Sequence, residues 1–185
     1  RTIRRCKGGR LRMNIFYLSE DPKVCAQDHC DKHVVKMIIE YAQLLSTAHR
    51  VLDGKETKVL SNSGKRYVSN WIMDDSSDSV LYKVAHVSHP SNIWTRASGH
   101  HYIWLWRLWH ELCLEYTERY GKNHVTWKKL RTYLSIPPQN IEDAGFQPPP
   151  QCMPDECKKD DTIQAYRDFY MAHKREFATW KTRVP

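Results

Sequence analysis

The chain has 185 residues and a formal charge of +8, from 29 Lys and Arg against 21 Asp and Glu. That length suits one domain with a real core, and no run reaches the ~18–20 apolar residues of a membrane span or carries a secretory pattern, so a soluble, intracellular protein is expected. The charge is unevenly placed. Arg1, Arg4, Arg5, Lys7, Arg10 and Arg12 crowd the first twelve residues without an acid, leaving 23 basic residues nearly balanced by 21 acidic ones. Global charge therefore says little about a nucleic-acid partner; only local basic clusters can.

In chain order, residues 1–12 are expected to be a basic leader, disordered or non-native, and residues 13–185 a single globular domain that reads as folded from Met13. Asn14 to Leu18 alternates weakly, as a short strand does. Ser19-Glu20-Asp21-Pro22 is a helix start, with Ser19 or Asp21 as cap and Pro22 in the first turn. The helix begins near Lys23, breaks around His29 to Asp31 and runs to about Val51, ending at Asp53-Gly54. Asn62-Ser63-Gly64-Lys65 sits between two extended runs in Lys58 to Ile72, which predicts a β-hairpin or a long basic loop. Val80 to Val87 is helix or strand. His89-Pro90-Ser91 forces a break, because the residue before proline avoids helical angles.

A second long helix, roughly Ile93 to Tyr120, is closed by Gly121. It carries Trp94, Tyr102, Trp104, Trp106, Trp109, Tyr116 and Tyr120, which at helical spacing are core by default and a stacking platform for bases as the alternative. Lys122 to Leu134 is a short basic helix or loop. Pro137-Pro138 through Pro154 is an irregular segment expected to wrap the body. Thr162 to Trp180 is an amphipathic helix, with Ile163, Tyr166, Phe169, Tyr170, His173, Phe177 and Trp180 on one side. The fold class is mainly α: a compact helical domain with a short N-terminal strand and a small hairpin.

The chemistry concentrates in residues 33 to 47. His33, Lys36, Glu40, Gln43 and Thr47 form one helical stripe, and almost everything between them is apolar. A helix so greasy is expected to be buried, and its polar groups must pair with each other or line a cleft. They make either a satisfied seam between helices or an active-site wall. His86 and His89 precede a helix N-terminus, where phosphate or developing negative charge is welcome, although His89 as a mere cap weighs equally. Arg96, His100, His101 and Arg107 follow. Arg167, His173, Lys174 and Arg175 either track a nucleic-acid backbone or form a solvated face. Glycine-rich phosphate loops, serine nucleophile elbows and the zinc-deaminase pattern are missing.

Six cysteines in an intracellular-looking chain are expected to be reduced. Cys25 with Cys30, and Cys152 with Cys157, make two Cys-x4-Cys pairs, and His29 and His33 stand at i,i+4. A zinc site can be drawn from these six residues, but structural zinc spacing is usually tighter. The expectation is no metal and no cofactor, with zinc as a minor alternative.

From Met13 onward the chain resembles a protein family widespread in tailed bacteriophages, through MNIFYLSEDPKVCAQ, DKHVVKMIIEYAQLLSTAHRVLDG, HVSHPSNIWTR, EYTERYGKNH, LSIPPQNI and MPDEC. That likeness implies no particular activity; it implies the cytoplasm of an infected host cell. More distantly, the layout resembles the pyrimidine-dimer DNA glycosylases of the phage endonuclease V type. These are compact helical enzymes that flip a nucleotide, cleave its glycosidic bond and then cut the strand. His33 and Glu40 in HVVKMIIE hold the spacing of that family's helical His and catalytic Glu, and His89-Pro90 and Arg119-Tyr120-Gly121 match further landmarks. Two departures stand out. The best-known member attacks with its N-terminal α-amine, whereas here Met13 precedes Asn14 and twelve residues come before it. The family's arginine near the N-terminus is also missing.

The resemblance implies a DNA N-glycosylase acting on a modified or damaged base, with or without abasic-site lyase activity, in DNA repair or base processing. Glu40 would activate water or stabilise an oxocarbenium-like sugar. His33 would orient Glu40 or protonate the departing base; in the alternative form of the chemistry, Lys36 would be the Schiff-base amine. His86, His89, Trp94, Arg96 and Gln43 would hold the flipped nucleotide and its phosphates. DNA is the expected partner, with no membrane. The competing class is a non-catalytic phage module binding DNA or protein through Lys122, Lys128, Lys129 and Arg131.

Overall fold

The computed structural model describes residues 14–181. The basic leader expected at 1–12 lies outside them. Six α-helices and one antiparallel hairpin make up the regular structure: α1 (Pro22–Asp28), α2 (Asp31–Asp53), β1 (Lys55–Leu60), β2 (Tyr67–Ile72), α3 (Pro90–Ala97), α4 (Gly99–Tyr120), α5 (Val125–Leu134) and α6 (Thr162–Lys174).

The helix boundaries follow local chemistry. Asp21 accepts the amide hydrogens of Lys23 and Val24 at the start of α1, with Pro22 in the first turn. The expected break falls at His29 and Cys30, where the backbone is extended. A second break divides the expected Ile93–Tyr120 helix at Ser98, whose side chain caps α4 by accepting the His100 amide hydrogen. Gly121, at φ 66°, closes α4 in the left-handed region. In α6 the helix stops at Lys174 rather than Trp180.

Helix α2 runs through the centre and packs against α3, α4 and α5, while α1 lies along α4. Its core face is Val34, Met37, Ile38, Tyr41, Ala42, Leu44, Leu45 and Ala48, closing on Leu105, Leu108, Trp109 and Leu112 of α4. The expected complete burial of α2 does not hold. Val35 and Ile39 are about two-fifths exposed, with Lys32 and Lys36 beside them, so the first half of the helix keeps an open face.

Asn14 to Leu18 is buried but is not a strand. The two strands of the described residues pair with each other, Lys55 opposite Ile72 through Leu60 opposite Tyr67. The N-terminal segment instead satisfies its backbone from side chains. The Tyr41 hydroxyl accepts the Phe16 amide hydrogen, the Cys25 thiol donates to the Phe16 carbonyl, and Arg167 donates to the Leu18 carbonyl.

The hairpin is largely exposed, and one buried residue helps to anchor it. Arg50, buried near the end of α2, donates to the carbonyls of Trp71, Asp78, Leu81 and Tyr82 and to the Asp78 carboxylate at 2.6 Å. Five hydrogen bonds satisfy a guanidinium that would be costly to bury unpaired. The chain then turns from α2 into β1 through Gly54, where a Cβ would sit 2.5 Å from the Arg50 carbonyl oxygen.

Candidate functional site

The 33–47 stripe divides by depth. His33 is buried, whereas Lys36 and Glu40 reach solvent and pair at 3.0 Å, with side chains 48% and 20% exposed. Gln43 is half-buried, and Thr47 is buried, accepting the Ala85 amide hydrogen. The pairing is an i,i+4 contact worth only about 0.3–0.5 kcal/mol in stability, so its interest lies in where it holds the carboxylate.

His33 faces α6. Its Nδ1 lies 2.5 Å from the Tyr170 hydroxyl, and its ring stacks on Phe16 at 4.5 Å. The Tyr170 oxygen accepts the Cys30 amide hydrogen, and its hydroxyl also reaches Cys30 Sγ at 3.6 Å. Burial, then the neighbouring His29, Lys174 and Lys36, push the His33 pKa down to about 3. His33 is therefore neutral at physiological pH, and its contacts run to Tyr170 and Phe16.

His29 forms a second closed relay. Its Nδ1 is 2.7 Å from the Cys25 carbonyl and must donate there, so Nε2 accepts the Tyr41 hydroxyl hydrogen at 3.0 Å. Burial holds this histidine down at about 4.

The end of α6 brings lysines to the open face of α2. Lys174 is half-buried, its Nζ 5.5 Å from the Phe169 ring and 5.8 Å from Phe177. Lys32 lies over the other contact of that ring, at 4.7 Å from the Phe177 centroid. Burial, then the charge of Lys36, lower Lys174. Lys32 and Lys174 thus flank Phe177, and Lys36 is near enough for its charge to act on Lys174.

Behind this face a buried ion cluster locks the helices together. The Arg119 guanidinium, with no exposed side-chain surface, meets Glu115 at 2.8 Å and Asp31 at 3.1 Å. It also donates to the carbonyls of His29 and Gln27. Asp31 in turn accepts from Thr179 and from the Lys181 amide.

A cleft of about 920 Å³ opens between His89-Pro90, residues 149–153 and residues 158–162. His89 caps α3, its Nδ1 accepting the Ser91 amide hydrogen at 3.1 Å. Cys152 Sγ approaches Ser91 Oγ at 3.6 Å. The lysines of this cleft are spoken for: Lys158 pairs with Asp155 and Lys159 with Asp168.

The remaining sequence candidates scatter. His86 is exposed with φ 52°, its carbonyl held by the Asn92 amide. Trp94 is core, its ring stacked on His101 at 4.4 Å and its Nε1 donating to the Gln147 carbonyl. Arg96 is half-buried, with one guanidinium nitrogen enclosed without a hydrogen-bond partner, and burial lowers it. Lys122, Lys128, Lys129 and Arg131 are exposed, with Lys129 over the Tyr82 ring. Among the described residues no three His, Cys, Asp or Glu side chains gather as metal ligands. Cys25 is tied to the Phe16 carbonyl with its thiol pushed up to about 12, Cys30 contacts Tyr170, and Cys157 contacts His173.

Comparison with known proteins adds no name to this geometry. No protein-family model matches the chain, and no curated protein or solved structure does either.

Sequence reasoning missed the partners that give the stripe its character. Tyr170 read only as an apolar-face residue of α6, and Arg119 only as part of a helix end. The i,i+4 spacing of Glu115 and Arg119 was visible, but Asp31, 88 residues away, was not.

Proposed function

We propose that this chain is a DNA N-glycosylase with an abasic-site lyase step, working where the open face of α2 meets the end of α6. The observation that carries the reading is the Glu40 carboxylate, part-exposed and held at 3.0 Å by Lys36. A carboxylate so placed can stabilise the oxocarbenium-like sugar as the base leaves, or direct the water that replaces it. Lys32 and Lys36 supply positive charge for the phosphates, and exposed Val35 and Ile39 offer apolar surface to an unstacked nucleotide. Neutral His33 serves by fixing Tyr170, and with it the approach of α6.

Base release from duplexes carrying a thymine dimer or uracil tests this reading. Glu40→Gln is expected to lower release by about 100-fold or more while duplex affinity changes less than about threefold. A fully active variant, or a wild-type protein that releases no base from either substrate, ends the proposal.

A second reading, a non-catalytic DNA-binding module, draws on the exposed, basic face of α5. Lys128, Lys129 and Arg131 take part in no ion pair among the described residues. It predicts salt-sensitive duplex binding that weakens on their neutralisation, without chemistry.

A further inference from the structure

Resting on the glycosylase–lyase reading, we infer that Lys174, rather than Lys36, supplies the amine that forms a Schiff base with the abasic sugar. The two lysines stand side by side but in different company. Lys36 is half-exposed and its ammonium is bound by the Glu40 carboxylate at 3.0 Å. Lys174 lies against the Phe169 and Phe177 rings, and among the described residues no carboxylate pairs with it. The groups facing it are Lys36, Cys30 and the ring of Phe177, which also carries Lys32.

A half-buried amine with no carboxylate on it and a second cation nearby is the arrangement that favours its neutral, nucleophilic form, although the ring faces pull the other way. The direction of the Lys174 shift, with burial as the larger cause and Lys36 as the next, agrees with that geometry. The two lysines then divide the labour: Lys36 steadies Glu40 and repels the proton from its neighbour, and Lys174 reacts.

The step balances simply. Lys174 gives a proton to solvent, and its lone pair adds to C1′ of the ring-opened abasic sugar, an aldehyde. The resulting carbinolamine loses one water to leave a C=N bond. Borohydride, added as reductant, delivers hydride to that carbon and fixes a secondary amine.

The test is borohydride trapping of the full chain on duplex DNA carrying an abasic site, with the linked peptide identified by mass spectrometry. The adduct is expected on Lys174. Lys174→Arg, which keeps charge and bulk but does not form the imine under these conditions, is expected to trap about tenfold less or worse, whereas Lys36→Ala, which removes the cation near Lys174 and the partner of Glu40, is expected to trap more weakly but still on Lys174. Far-ultraviolet circular dichroism and unchanged duplex affinity of Lys174→Arg establish that the variant is folded. An adduct on Lys36 or another lysine overturns this inference and leaves the glycosylase reading standing. Base release without any adduct does the same. Neither adduct nor base release from the wild-type protein overturns both.

Discussion

The two ends of α6 divide what a functional site needs. At its start, beside Thr162, lies the roomy cleft with His89 and Cys152, whose lysines are neutralised by Asp155 and Asp168. At its end, about 18 Å along the helix axis, Lys174 lies within reach of the charge of Lys36, which holds Glu40, on an open surface. One end has space with its charge cancelled, and the other keeps an uncancelled charge. A large pocket is the default guess for a binding site. Here the residues able to polarise a bond or form one gather at the opposite end, and a nucleotide extruded from a duplex brings its own shape to an open face.

The heaviest blow to this arrangement comes from behind the site. Arg119→Ala leaves Glu115 and Asp31 buried without their counter-ion, and a loss of about 3–5 kcal/mol in urea unfolding is expected. A loss under 1 kcal/mol would mean that the α2–α6 end does not depend on this cluster. Next is the 100-fold fall in base release on Glu40→Gln, worth about 2.7 kcal/mol in the transition state. Smaller, and spread over a pH window, is the effect of the two buried histidines. His29 and His33 take a proton near pH 6.5 when unfolded, but only near 4 and 3 when folded. The unfolded chain therefore binds more protons in that window. Their contribution is intact above about pH 6.5 and declines as pH falls, approaching ~1.4 kcal/mol per pH unit for each histidine. His33→Phe should flatten that slope in denaturation curves measured between pH 7 and 4; an unchanged slope would place the titration elsewhere. The smallest effect is expected in the cleft, where His89→Ala should leave base release within about threefold. If it abolishes release instead, the reaction belongs to the other end of α6.

Much of the scaffold could be read from short-range chemistry. The Asp21-Pro22 start, the break at His29, the hairpin around Asn62 to Lys65 and the Gly121 stop all depend on residues within a few positions of one another. The Asn14–Leu18 strand failed because alternation reports burial, not who supplies the hydrogen bonds. The acceptor and donors there are Tyr41, Cys25 and Arg167. Similarly, the spacing of Lys36 and Glu40 announced their pairing, but nothing near His33 announced Tyr170. Trp94 showed the same limit: its ring lies under His101 for reasons of packing that helical periodicity cannot express.

Arg50 sets how the molecule breathes. The hairpin has little core of its own, and Arg50 ties it to the body by donating to the Trp71 carbonyl while holding the 78–82 segment that follows. Opening that latch frees β1 and β2 without disturbing Trp109 or Leu108, so hydrogen exchange should divide the protein into a fast hairpin and a slow helical block. In Arg50→Met the hairpin amides would exchange almost as a free peptide does, while α2 and α4 stay protected. Hydrogen exchange is thus expected to resolve two units of unequal lifetime, with Arg50 as one of the ties between them.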